Sequence, residues 1–418
     1  MLKALKWTIL GLLGVMIVIF LIMGTHIYLD YRESRAASNS ASDRPVGETL
    51  VRNALDGIFE AFETYPLVGI SGRHFSARAD MFYAAIVCDP RFARDVGNVV
   101  VEFGAAGCQD VIDRYVTGMD VPYQELRTVW TDTIGWGQTA AGFGYVQFFS
   151  QVREVNKTLP PDERIRVWLG EPPLDWSKVE SGWNLKLRRA EGQRDSYPAS
   201  VIVRNLLEKD KKALVIYGGF HFEKKWSFPF GSMRSKVEAK YPGAFYIVLV
   251  NDGLRSEACA KFLDQASGLW PAPVLAAPTP GRAPDPELCD CAVIDEADLI
   301  TLGTSKGIGA VVGKPKKVLG DAVLFLGPVY EINDIRYSPM MPDFFLDAEY
   351  RREVNRRFKI QHGWPLFTIR PDHPIERAVY NVDLDARGYA ELLDSMFEEY
   401  DLNRDGVVTT DEYSDPIK

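Results

Sequence analysis

The chain has 418 residues, 46% of them hydrophobic and 25% charged, which suits packed globular structure and excludes an unstructured polyelectrolyte. Its 57 acidic and 48 basic residues give a formal charge of −9, with no basic stripe, so nucleic acid is excluded as an expected partner. Five cysteines, an odd number in so long a chain, exclude a disulfide scaffold.

Residues 7–29 contain no Asp, Glu, Lys or Arg, and 7–23 are almost wholly apolar. A run of that length spans a bilayer as a helix. Lys3 and Lys6 precede it, which places the amino terminus in the cytoplasm and the body outside, in the periplasm or beyond the cell. The expectation is a signal anchor over 1–29. A cleaved signal peptide competes, but its small-residue cleavage candidates near 36–42 lie well past the apolar run. Residues 30–46 are polar and Ser/Ala-rich, a flexible stalk.

From residue 47 the pattern becomes globular and continues to 362. Leu50, Leu55, Ile58, Phe59 and Phe62 recur at helical spacing. Short apolar runs then alternate with helical segments, at 67–70, 98–103, 165–169, 213–217, 245–250 and 322–326. Such runs, rich in Val and Ile, predict an α/β domain with a mainly parallel sheet flanked by helices on both faces. The Pro-rich stretch 271–286 reads as a surface excursion before the last strand. A bridge from Cys259 to Cys289 or Cys291 is open to an oxidising compartment, whereas Cys88 and Cys108 read as small buried residues. Cys289 and Cys291 lack the further ligands of a zinc site. The glycine-rich stretch 302–309 is interrupted by Gly313 and Pro315, so it does not open a nucleotide-binding helix.

In an open parallel sheet, functional side chains gather at the carboxyl ends of the strands. Those ends carry His74 after the first run, Glu102 in the second, Glu171 after the third and His221 after the fourth. Arg194 and Asp195 precede the helix leading into the fourth run and can join them. A bare carboxylate such as Glu102 in an apolar strand is costly unless paired, and Arg194 or Arg73 is its ready partner.

Several motifs carry a family resemblance. They are Val99-Val100-Val101-Glu102-Phe103-Gly104, Gln109-Asp110, Val129-Trp130-Thr131-Asp132-Thr133, Leu169-Gly170-Glu171-Pro172-Pro173-Leu174-Asp175-Trp176, Arg194-Asp195 and Ile216-Tyr217-Gly218-Gly219-Phe220-His221. Together they resemble a bacterial group that is itself similar to the superfamily of erythromycin esterases, ChaN-type haem-uptake proteins and Tiki-type proteases. The resemblance extends loosely over 47–360. It implies that His74, Glu102, Arg194, Asp195 and His221 form the site. The first motif of such families is Gly-Glu-x-His, and here Gly72 stands where the acid is expected. That departure removes a metal ligand or an orienting carboxylate.

A minimal hydrolytic scheme uses His74 or His221 as general base on water, Glu102 to orient it and Arg194 to stabilise the oxyanion. The competing expectation, which Gly72 favours, is a noncatalytic site on a degenerate hydrolase-like domain that holds a small molecule or a peptide. Haem binding is a third expectation implied by the resemblance, although no axial ligand is specified.

A linker over 363–388 leads to the final segment, 389–418. Residues 401–412 fit the loop of an EF-hand calcium site. Asp401, Asn403, Asp405 and Glu412 supply side-chain oxygens at positions 1, 3, 5 and 12. Val407 supplies its backbone carbonyl, and Thr409 occupies the position that often binds through water. Gly406 sits at the sharp turn. Leu392, Leu393, Met396, Phe397 and Tyr400 recur at helical spacing upstream, as an entering helix requires. Nine acids against Arg404 and Lys418 give 391–418 a charge of −7, so the rest of the chain is nearly neutral. Calcium is the expected cofactor, and the membrane and an unidentified small-molecule or peptide ligand are the expected partners.

Overall fold

The computed structural model describes residues 45–72, 76–134, 143–223, 231–251, 272–284, 320–326 and 347–362, with scattered positions between 262 and 288. The predicted anchor, nearly all of the stalk, the linker and the calcium loop lie outside the described residues, as do His74, Cys259, Cys289 and Cys291. Among the described residues, no helix is long and apolar enough to cross a membrane.

Strands β1 (Thr49–Asn53), β2 (Leu67–Gly72), β3 (Asn98–Ala105), β4 (Arg166–Glu171), β5 (Ala213–Gly218), β6 (Phe245–Asn251), β7 (Val274–Pro278) and β8 (Ala322–Phe325) form one sheet. Their order is β1-β7-β8-β6-β2-β5-β3-β4. β7 runs antiparallel to both β1 and β8, and the other neighbouring pairs are parallel. The sheet is therefore mixed.

Successive residues of each strand feed opposite cores. Val68, Ile70, Leu214, Ile216 and Val248 face one, whereas Leu67, Val215, Ile247 and Leu249 face the other. Helices α1 (Ala54–Thr64), α2 (Ala77–Cys88), α3 (Gln109–Val116) and α4 (Phe143–Lys157) cover the first core with Ile58, Phe62, Phe82, Ile112 and Phe148. Helices α5 (Ser196–Asn205) and α6 (Met233–Glu238) cover the second with Ile202, Met233 and Val237. Burial on both faces explains why the strands read as continuous apolar runs. Each such side chain stabilises the fold by about 1.5–3 kcal/mol relative to exposure.

Three expectations change. The helical periodicity that began at Leu50 starts in the structure at Ala54, because Thr49–Asn53 pairs with β7 and Asn53 accepts from the Leu55 amide at 3.0 Å, capping α1. The Pro-rich stretch 271–286 contributes the buried strand β7 rather than only a surface excursion. Its prolines lie before Val274 or at Pro278 and beyond, so Val274–Ala277 keep the N–H groups that an internal strand must donate. Cys88, expected to be buried, is exposed at the end of α2, whereas Cys108 is buried beside Thr128 Oγ1 at 3.3 Å.

Helix α7 (Ala348–His362) clasps the loops that follow β3 and β4. Arg357 donates to the Thr131 carbonyl at 3.0 Å and to Asp132 Oδ1 at 2.6 Å. Arg356 donates to the Val179 carbonyl at 2.9 Å, and Gln361 Nε2 to the Ile134 carbonyl at 2.7 Å. These contacts fix the loops whose inner ends line the candidate site.

Candidate functional site

Glu102 stands within an irregularity of the β3–β4 ladder. Val101 lies opposite Leu169, yet the next paired residues are Ala105 and Glu171, so β3 advances further than β4 between them. Such irregularities re-aim side chains, and here both Glu102 and Glu171 turn into the same buried space. Gly104 allows the close approach: a Cβ there would lie 2.4 Å from Leu169 Cδ2.

Arg194 bridges the two acids. Its Nε donates to Glu171 Oε1 and its Nη2 to Glu102 Oε1, each at 2.8 Å. Backbone amides take the remaining carboxylate oxygens, Gly218 N on Glu102 Oε2 at 2.7 Å and Ile134 N on Glu171 Oε2 at 3.1 Å. Both acids are buried, with side-chain exposures of 6% for Glu102 and 1% for Glu171. Burial pushes the Glu171 carboxyl up, against the pull of Arg194. For Arg194 itself burial acts downward, but Glu171 and Glu102 outweigh it and hold the guanidinium charged.

Asp195 is the N-cap residue of α5, yet its side chain makes no capping bond. Its Oδ1 instead meets His221 Nδ1 at 2.8 Å and accepts from Met233 N at 2.7 Å, tying α6 to the site. Pro198 fits in the first turn of α5, where its missing N–H costs nothing. His221, in a 3₁₀ turn directly after β5, reaches Glu102 Oε1 through Nε2 at 3.4 Å. Tyr217 meets the imidazole edge to face at 5.2 Å. Burial alone would lower the His221 pKa, but Glu102 and Asp195 together raise it to about 10. That balance favours the imidazolium at neutral pH.

The structure thus brings together Glu102, Arg194, Asp195 and His221, while His74 lies outside the described residues. Glu102 finds its ion-pair partner in Arg194, and Arg194 pairs with the two glutamates rather than with Asp195. The general-base role considered for His221 does not fit this geometry. A base needs an unprotonated nitrogen facing its substrate, and here both nitrogens face carboxylates. Glu171, which its strand end placed at the same edge but which was left out of the site that the resemblance implies, joins the cluster through Arg194. The contributing amides of Gly218, Ile134 and Met233 carry no side-chain signal at all.

Two glycines are shaped by tyrosines. A Cβ on Gly72 would lie 2.8 Å from the Tyr83 hydroxyl, so the acid expected at that position would have to displace Tyr83. A Cβ on Gly170 would fall 1.7 Å from the Tyr217 hydroxyl, itself buried without a hydrogen-bond partner among the described residues. Gly170→Ala is therefore expected to destabilise the domain by about 1–3 kcal/mol through overpacking. Tyr217→Phe should recover part of that loss, because it removes the clashing and unsatisfied hydroxyl, while the ring carbon at 2.8 Å and the Val101 carbonyl at 2.9 Å remain. Urea denaturation of the two single variants and the double variant measures the coupling; simple additivity would refute the assigned contact.

No protein-family model matches the chain, and no curated protein matches it. Among solved structures, the type III effector HopBA1 is similar at 12% identity, over 51% of this chain and 90% of its own, with a TM-score of 0.35. ChaN of Campylobacter jejuni, described with cofacial haem binding, is 12% identical over 48% of this chain and 87% of its own, with a TM-score of 0.29. A Bacillus cereus protein is 11% identical over 71% of this chain and 98% of its own, with a TM-score of 0.38. Similarity at this level carries no functional weight, so function has to be argued from the site's own chemistry.

Proposed function

We propose that the α/β domain is a noncatalytic ligand-binding module on a degenerate hydrolase-like site, carried by a membrane-anchored, extracytoplasmic protein with a calcium-binding tail. One observation supports the first part: each His221 ring nitrogen faces a carboxylate, an arrangement that favours a held cation over a base for water. Haem is likewise disfavoured at this histidine, since an axial ligand needs one unoccupied nitrogen. What the cluster does offer is recognition. Arg194 Nη1 and Asp195 Oδ2 have no hydrogen-bond partner among the described residues, and the two side chains are 23% and 30% exposed. A polar small molecule or peptide presenting an acceptor to the first and a donor to the second fits that pair.

The expected result with ester, lactone and peptide substrates is no measurable hydrolysis by the native protein. Robust turnover that disappears in His221→Ala would instead establish the active-hydrolase reading.

The calcium assignment rests on the residue pattern of 401–412. A single EF-hand without a partner loop should bind weakly, with a Kd on the order of 10⁻⁴–10⁻³ M. Calorimetric titration is expected to show one site, lost in Glu412→Gln; an unchanged isotherm in that variant removes the calcium assignment. For the anchor, protease added outside cells with a permeable envelope should digest the body and leave the segment at 7–29 in the membrane. A mature chain starting near residues 38–42 would show a cleaved signal instead.

A further inference from the structure

Trp183 and Leu185 are 87% and 86% exposed, the largest exposures among the apolar side chains of the described residues. They flank Asn184, which caps a short helix (Leu185–Glu191) through the Lys186 and Leu187 amides. Beneath them Leu187 and Ala190 pack with Trp176, Val179 and Ile134, so the pair projects from a fixed support. The surface around them is cationic. Lys186 and Arg189 are exposed and in no ion pair among the described residues, while Arg188 pairs with Glu191 at 2.8 Å and lies 5.7 Å from the Trp183 ring. An exposed Trp beside unpaired cations is the composition of an interface core and its rim.

The patch adjoins the place where the chain leaves the described residues. A Cβ on Gly182 would meet the Ile360 carbonyl oxygen at 2.6 Å, so the segment entering the patch runs against the end of α7. Residues 363–388 follow, a span that could reach about 85 Å when extended. Beyond it lies 389–400, whose pattern predicts a helix with Leu392, Leu393, Met396 and Phe397 on one face, Glu399 at the edge of that face beside Leu392, and Glu391, Asp394 and Glu398 elsewhere. On the calcium reading proposed above, the tail is a single EF-hand, whose entering helix needs a cover that a partner hand would otherwise supply.

We propose that the segment 389–400 of the same chain docks on the Trp183–Leu185 patch, its apolar face on the Trp and Leu and its acids on Lys186 and Arg189. Tethering makes a modest contact sufficient. At an effective concentration of about 1 mM, a contact with an intrinsic Kd of about 0.1 mM is roughly nine-tenths occupied. The docking does not depend on calcium being bound. If the calcium site proposed above is real, the two are coupled, because ordering the loop orders the helix that enters it.

The test uses the full-length protein with a photo-crosslinking amino acid at position 185. Crosslinking is expected within one chain, with the captured peptide mapping to 389–400. Trp183→Ser should lower the yield about tenfold, as removal of a buried aromatic anchor does. Lys186→Glu with Arg189→Glu should lower it too, and Glu398→Lys with Glu399→Lys in that background should restore it. Capture of lipid, of a second copy or of another part of the chain overturns the proposal, as does no capture. Repeating the measurement with calcium, with chelator and in Glu412→Gln separates the two readings. A yield unaffected by all three, beside a failed calorimetric titration, leaves docking standing and calcium binding refuted. Normal calcium binding without the crosslink shows the reverse.

Discussion

Replacing Arg194 by methionine is expected to destabilise the α/β domain by about 3–5 kcal/mol, the cost of stranding buried carboxylates by removing their partner. Arg194 holds two carboxylates through separate nitrogens, and Glu102 and Glu171 have almost no access to water. Glu171 already holds its proton more tightly than an exposed glutamate, so it can escape part of the penalty by protonation. Glu102 retains His221 and the Gly218 amide. The second step should therefore be informative: adding Glu171→Gln to Arg194→Met is expected to recover part of the loss, and Arg194→Lys to recover less than its charge suggests. A lysine is a point charge and cannot reproduce a fork that reaches two acids at once. Denaturant midpoints for the four proteins measure this. A stability change below about 1 kcal/mol in Arg194→Met would mean that the ion pairs behave as a solvated surface pair, not as a buried bridge.

The convergence of this cluster was legible because it follows from topology. Glu102 and His221 sit at the ends of β3 and β5, which are adjacent and parallel, and Arg194-Asp195 opens the helix feeding β5. Motif order and strand ends were enough to group them. What the residues then do to one another was not legible. Whether a histidine is a base or a trapped cation depends on which oxygens lie within about 3 Å of each nitrogen, and a residue pattern does not encode that. The strand β7 was hidden for a different reason. Prolines dominate the composition of 271–286, but strand formation depends on where they fall relative to donating N–H groups, and Val274–Ala277 are spared. The strand end placed Glu171 at the shared edge, but its pairing with Arg194 was not legible, because it arises from the β3–β4 irregularity, a property of two strands together.

His221 should make the stability of the domain depend on pH in the alkaline direction. Its folded pKa, about 10, lies above the unfolded value near 6.5. Its contribution is therefore fully present below about pH 6.5 and is lost as pH rises through the folded value near 10. Between those limits the folded protein binds one proton more than the unfolded chain, so stability should fall by about 1.4 kcal/mol per pH unit. The groups facing the ring are Glu102, Asp195 and Tyr217. Tyr217 cannot take over this titration, because burial first and then Glu171 and Glu102 push its phenol well above the usual range. Urea unfolding at pH 6, 7.5 and 9 is expected to show the slope in the native protein and a flatter one in His221→Gln. Imidazole N–H resonances should stay visible in the native protein into the alkaline range, with both nitrogens protonated. If stability instead were level from pH 6 to 9, with one ring nitrogen losing its proton near pH 6.5, His221 would be neutral at rest. It would then be available as the base that the hydrolytic reading requires.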